Sequence, residues 1–139
     1  MTKEYLKRFK LALLILARAA AKNKISLRTV RLHFHGDGTR CPWHGESAHW
    51  VQDITLCSAD IETALHELAH VWADQGHSKK WARLLFRLHR QHTTPIQCQR
   101  WDLEVARNYP LVATKYYERR YHRLPSQKRK RQIVETPDV

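Results

Sequence analysis

The sequence predicts an α+β domain, and three observations carry the prediction. Apolar residues recur at helical spacing near the N-terminus and again over most of residues 59–122. Between these stretches, Val30, Leu32 and Phe34 alternate with Arg31, His33 and His35, the two-residue period of a half-buried strand. Two further short extended segments, 47–51 and 53–57, follow before the helical spacing resumes. A chain of 139 residues suits one domain, expected over 1–122, with a basic tail over 123–139.

Residues 3–22 form the first expected helix, with Leu6, Phe9, Leu13, Leu16 and Ala20 on its buried face and Lys22-Asn23-Lys24 ending it. The basic residues before Leu11–Ala17 also have the outline of a short signal peptide, with Ala17-Arg18-Ala19 as a cleavage site. Arg18 closes that apolar stretch, and the helical spacing favours an amphipathic helix. A strand is expected over 28–35, then a turn at Gly36-Asp37-Gly38-Thr39 and a loop over 40–46. Within that loop, Cys41-Pro42-Trp43-His44 has the spacing of half a zinc site. No second tightly spaced pair follows, so it reads as loop. The two short strands 47–51 and 53–57 are joined by a tight turn around Gln52 and Asp53.

Ser58 is the expected N-cap of a helix over 59–75, on which Ile61, Leu65, Leu68 and Trp72 step at helical spacing. Gly76 is the expected stop. Ser78 caps the next helix, with Trp81, Leu84, Leu85 and Leu88 as its apolar stripe, and Thr93-Thr94-Pro95 breaks it. A further helix starts near Ile96 and runs through Trp101, Val105 and Ala106. Pro110 kinks or ends it, and a last helix covers 111–122. Trp50, Trp72, Trp81 and Trp101 are assigned to the core rather than to a site.

No apolar run is long enough to span a membrane, so no membrane partner is expected. The three cysteines, Cys41, Cys57 and Cys98, are odd in number and widely spaced. They imply no disulfide framework, which fits a reducing, cytoplasmic location. The net charge of +12 favours polyanions as partners, and the tail, with Arg123 and Lys128–Arg131, offers a nucleic-acid contact. A solvated basic surface explains the same charge equally well.

The residues that carry chemistry are His66-Glu67-Leu68-Ala69-His70. Residues four apart share a helix face, so His66 and His70 project side by side and can hold one zinc ion through their imidazoles. Glu67 lies about 100° further round the helix, beside such an ion rather than on it. The zinc acidifies water and polarises a carbonyl, and Glu67 takes the proton and passes it to the leaving amine. A catalytic zinc usually has three protein ligands and one open position. His77 is the expected third, but a continuous helix would carry it about 10 Å beyond His70. The chain must therefore turn first, and Gly76 is expected to supply the turn. Glu104, in Trp101-Asp102-Leu103-Glu104, is the rival third ligand. With ten histidines in the chain, the five-residue motif alone is weak; its place on an amphipathic helix after a strand strengthens it.

The run from His66 to His70, followed by Gly76-His77-Ser78-Lys79-Lys80-Trp81, resembles the SprT-like zinc metallopeptidase domain. In that family the third ligand belongs to a His-Gly-x-x-aromatic motif, matched here at His77 and Trp81, with Ser78 in place of glycine. The segments 47–51 and 53–57 are similar to the hairpin that precedes the family's active-site helix. The chain lacks the C-terminal zinc ribbon that the family often carries, and the likeness covers residues 25–90. A metzincin would need Gly at 73 and His at 76, where this chain has Ala73 and Gly76. The resemblance implies a small zincin-like domain: an N-terminal helix, a short three-stranded sheet, an active-site helix and further C-terminal helices. It also implies an edge strand above the metal, within 47–51, that pairs with an extended substrate.

The expected activity is zinc-dependent hydrolysis of peptide bonds in a peptide or protein substrate. His66, His70 and His77 hold Zn2+ and Glu67 serves as general base. The alternative is a nucleic-acid-associated zinc-binding protein with little or no peptidase activity. Tyr109, Tyr116 and Tyr117 are candidates for an oxyanion donor, and Asp74 for a hydrogen bond to a ligand His. His33, His35 and His49 are candidates for lining the cleft.

Overall fold

The computed structural model describes residues 2–32, 45–48 and 52–122. Among these are five helices and a short sheet that packs on the second helix, an α+β arrangement. The N-terminal helix α1 (Lys3–Lys22) is capped by Thr2, whose side chain accepts from Tyr5 N. Its buried face is Phe9, Ala12, Leu16, Ala19 and Ala20; Leu6, expected on that face, is 41% exposed. Stepping by three or four residues from Phe9 selects the small residues Ala12 and Ala19, which let a neighbouring helix approach closely. Asn23 ends the helix, its side chain bonding the Ala19 carbonyl and Gln91.

The sheet has the order β1–β3–β2, with strands β1 (Thr29–Leu32), β2 (Gly45–Ala48) and β3 (Asp53–Leu56). β1 runs parallel to β3, with Val30 opposite Ile54; β2 runs antiparallel to it, with Ser47 opposite Ile54. β2 therefore starts at Gly45, within the segment expected as loop, because its ladder register continues to Leu56. Gln52 enters β3 with positive φ (60°), consistent with the expected turn. Ile54 and Leu56 are fully buried, and Arg28 holds the Asp53 carboxylate through two hydrogen bonds of 3.1 and 2.7 Å. Cys57 is disulfide-bonded and Cys98 is free, a pairing that the number and spacing of the cysteines did not imply. Sequence spacing carries no information on which cysteines the fold brings together.

Helix α2 (Ile61–Ala73) sits at the centre, packed against α1, the sheet and helix α3 (Lys79–His92). Two expectations fail at its ends. The N-cap is Asp60 rather than Ser58, and the Ser58 hydroxyl bonds the Asp60 carboxylate instead. The stop is Asp74, in left-handed conformation (φ 53°, ψ 40°), rather than Gly76. A short polar side chain tolerates that conformation better than most, so no glycine is needed there. Ser78 caps α3 as expected, accepting from Trp81 N at 3.1 Å. Helix α4 (Pro95–Asn108) begins with a proline at its first turn behind the Thr94 cap, and α5 (Pro110–Tyr121) begins with Pro110. α3 packs on both.

Among the described residues no helix is long and apolar enough to cross a membrane. The Cys41–His44 segment, His33, His35, His49, Trp50 and the tail over 123–139 lie outside the described residues.

Candidate metal centre

The left-handed turn at Asp74 folds the chain back so that His77 returns to the face of α2 carrying His66 and His70. One ligand nitrogen from each of the three rings lies within 4.8 Å of the others. His66 Nε2 is 3.2 Å from His77 Nε2 and 3.2 Å from His70 Nε2. Imidazole nitrogens about 2.0 Å from a tetrahedral ion stand about 3.3 Å apart, so these two separations match that geometry and the three rings lie close enough to share a metal ion.

The tautomers support the same conclusion. His70 Nδ1 lies 3.0 Å from the Gln75 carbonyl, which can only accept, so Nδ1 carries the proton of the neutral ring. The lone pair of His70 is then at Nε2, facing the cluster. A single proton at His66 Nε2 can serve one of its two contacts, not both. Neutral rings thus meet either as two or more facing lone pairs or as two opposed N–H groups, a mismatch that a shared cation relieves. Burial, reinforced by His70 and His77, pushes His66 down to about 3, and burial lowers His77 as well. Both rings are therefore neutral and ligand-competent at physiological pH.

Aromatic side chains fix the three rings. Trp81 stacks on His70 (5.1 Å between ring centroids, 15°) and meets His66 and His77 edge-on. Its indole N–H donates to the His66 carbonyl at 3.3 Å, tying α3 to α2. Trp81 is fully buried, as expected of a core residue, yet it is also the floor of the site. Tyr109, at the α4–α5 junction, stacks on His77 (4.3 Å, 24°). Of the three candidate tyrosines it alone joins the cluster; Tyr116 packs against Phe86 and Tyr117 is buried.

Glu67 is 6% exposed, with Oε2 3.8 Å from His66 Nε2. It stands beside the cluster, outside the ligand set, as its place one residue past His66 requires. Glu67 and His66 line a cleft of about 310 Å³ with Glu62, Glu104, Asn108 and Tyr109. Glu104, the rival ligand, belongs to this cleft and not to the histidine cluster. It hydrogen-bonds Glu62, whose carboxyl is raised to about 7 by burial first and then by the neighbouring Glu104 charge.

One neighbour of the site is not apparent from the motifs. His89 also lines the cleft, and its Nδ1 is 2.7 Å from Asp102 Oδ1. Asp102 is fully buried and accepts from the Tyr121 hydroxyl at 2.6 Å, with Cys98 Sγ at 3.6 Å. A buried carboxylate needs such partners. The available signal is a histidine in the apolar stripe of α3, four residues after Leu85, matched by an aspartate beside Trp101 in α4.

Comparisons of the chain with protein-family models, curated proteins and solved structures find no match.

Proposed function

We propose that the chain is a zinc-dependent peptidase of zincin-like architecture. The observation that carries this reading is the convergence of three histidine nitrogens within 4.8 Å of one another, with a buried glutamate beside them on an open cleft. The likeness of residues 66–81 to the SprT-like motif agrees with it. A purely structural zinc site has no use for Glu67 in that position, which is what favours hydrolysis over the nucleic-acid-associated alternative.

His66, His70 and His77 would hold the ion, with the Gln75 carbonyl orienting His70 and Trp81 and Tyr109 bracing the rings. Bound zinc supplies Lewis acidity toward a carbonyl and acidifies water. Glu67 accepts the proton of the attacking water on its carboxylate and returns it to the leaving amine. The cleft would receive an extended peptide, and β2, at the edge of the sheet among the described residues, is the strand proposed to pair with it.

The test is metal analysis together with proteolysis of an unfolded protein. Glu67→Gln should keep its zinc and lose at least about 100-fold in kcat. His77→Ala should lose zinc, and Glu104→Ala should retain it. Full zinc in His77→Ala refutes the ligand assignment. Wild-type protein that binds zinc and cleaves nothing, with or without DNA, refutes the peptidase reading in favour of the alternative.

A further inference from the structure

A second groove, of about 680 Å³, lies between the start of α3 and α5. Lys79, Lys80 and Arg83 line it from α3, and Lys115 and Arg119 from α5. Among the described residues no carboxylate lines it. Lys79 and Arg83 are four residues apart on one helix, as are Lys115 and Arg119 on the other. Like charges at that spacing destabilise a helix. Here two such rows face each other across one groove, and none of the five cations forms an ion pair among the described residues. Charge gathered at this cost in a concave place calls for an anion.

The groove adjoins the metal centre. Lys79 is two residues past His77, and Pro110, which also lines the groove, directly follows Tyr109, whose ring stacks on His77. The groove is thus built from residues that follow two members of the site, His77 and Tyr109, in the chain.

We propose that this groove docks an acidic segment of the polypeptide substrate, setting a preference for substrates with Asp or Glu to one side of the scissile bond. The proposal rests on the peptidase reading. A peptide suits the groove better than nucleic acid for two reasons. The space is a concave groove and partly apolar, with Leu111 93% exposed at its wall, whereas a duplex needs a broad polar surface. Among the described residues the one aromatic lining it is Tyr116, half-buried and packed edge-on against Phe86, a poor platform for stacking bases.

The test uses the full chain carrying Glu67→Gln, a fluorescent Glu-rich peptide and its Gln isostere, read by anisotropy. The Glu-rich peptide should bind more than about tenfold tighter than the isostere, and less tightly as salt rises. Arg83→Glu with Arg119→Glu should abolish that difference. Lys10→Glu with Arg18→Glu, the same charge change on exposed positions of α1, should leave it within about twofold. Circular dichroism verifies that both pairs fold. Equal losses from the two pairs, or none from the groove pair, overturn the proposal. So does a DNA duplex whose binding depends on Arg83 and Arg119 more steeply than the peptide's. With an active Glu67, the groove pair should raise KM for acidic peptides by a larger factor than for neutral ones. Failure to cleave any peptide would defeat the peptidase reading alone, because the binding measurement decides the groove independently.

Discussion

Tyr109 is the residue whose role the fold clarifies most. Its ring braces His77, and its hydroxyl senses Glu67: burial raises the phenol above its ordinary value, and the Glu67 charge raises it further. At physiological pH the hydroxyl keeps its proton and is a donor at the edge of the cleft. A donor aimed at developing negative charge on a carbonyl oxygen contributes in the transition state more than in the ground state. Tyr109→Phe preserves the stacking and removes only the donor. It should lower kcat by about 10- to 1000-fold, with zinc content unchanged and KM nearly so. A variant with wild-type kcat would restrict Tyr109 to packing.

At the scale of elements, the turn between α2 and α3 decides whether a third ligand exists. The positive φ falls on Asp74, and a Cβ added at Gly76 meets no atom within 4 Å. Gly76→Ala should therefore change stability by no more than about 0.5 kcal/mol and leave zinc binding intact. Ser78→Ala, by contrast, removes the hydrogen bond to Trp81 N and should cost about 1 kcal/mol. Because Trp81 floors the site, that loss should also weaken zinc binding. Denaturant titration and metal competition measure both; a large penalty at Gly76 would contradict the observed turn.

Across the whole molecule, the helices join around polar groups as well as apolar ones. Asp102 connects α3 through His89 and α5 through Tyr121, and it does so behind the cleft. On the cleft side, Glu62 of α2 meets Glu104 of α4, and burial, reinforced by the Glu104 charge, raises Glu62 to about 7. In the unfolded chain Glu62 titrates near its ordinary value of about 4.3. Between those two values the folded, metal-free protein holds a proton that the unfolded chain has released. Its stability therefore falls as pH rises through that window and levels off above it. Glu62→Gln should flatten this slope and stabilise the zinc-stripped protein above pH 7 by about 1 kcal/mol, since the half-exposed pair is screened by solvent. Denaturation of chelator-treated protein across the window measures the slope; an unchanged slope in the variant would refute the shared-proton account.

Local pattern was enough to place the helices, because helical spacing and caps such as Ser78 are properties of neighbouring residues. The same holds for the pairing of His66 with His70 and for the position of Glu67 beside them, since both follow from one turn of helix. The tertiary structure decided what depends on contacts distant in the chain. It brought His77 to the cluster through a left-handed Asp74 where glycine was expected, and it left Glu104 beside Glu62. It also engaged Cys57 in a disulfide and selected Tyr109 and Trp81 from among many aromatics. A buried ring or carboxylate acquires its role from the side chains folded against it, and those partners lie on other helices.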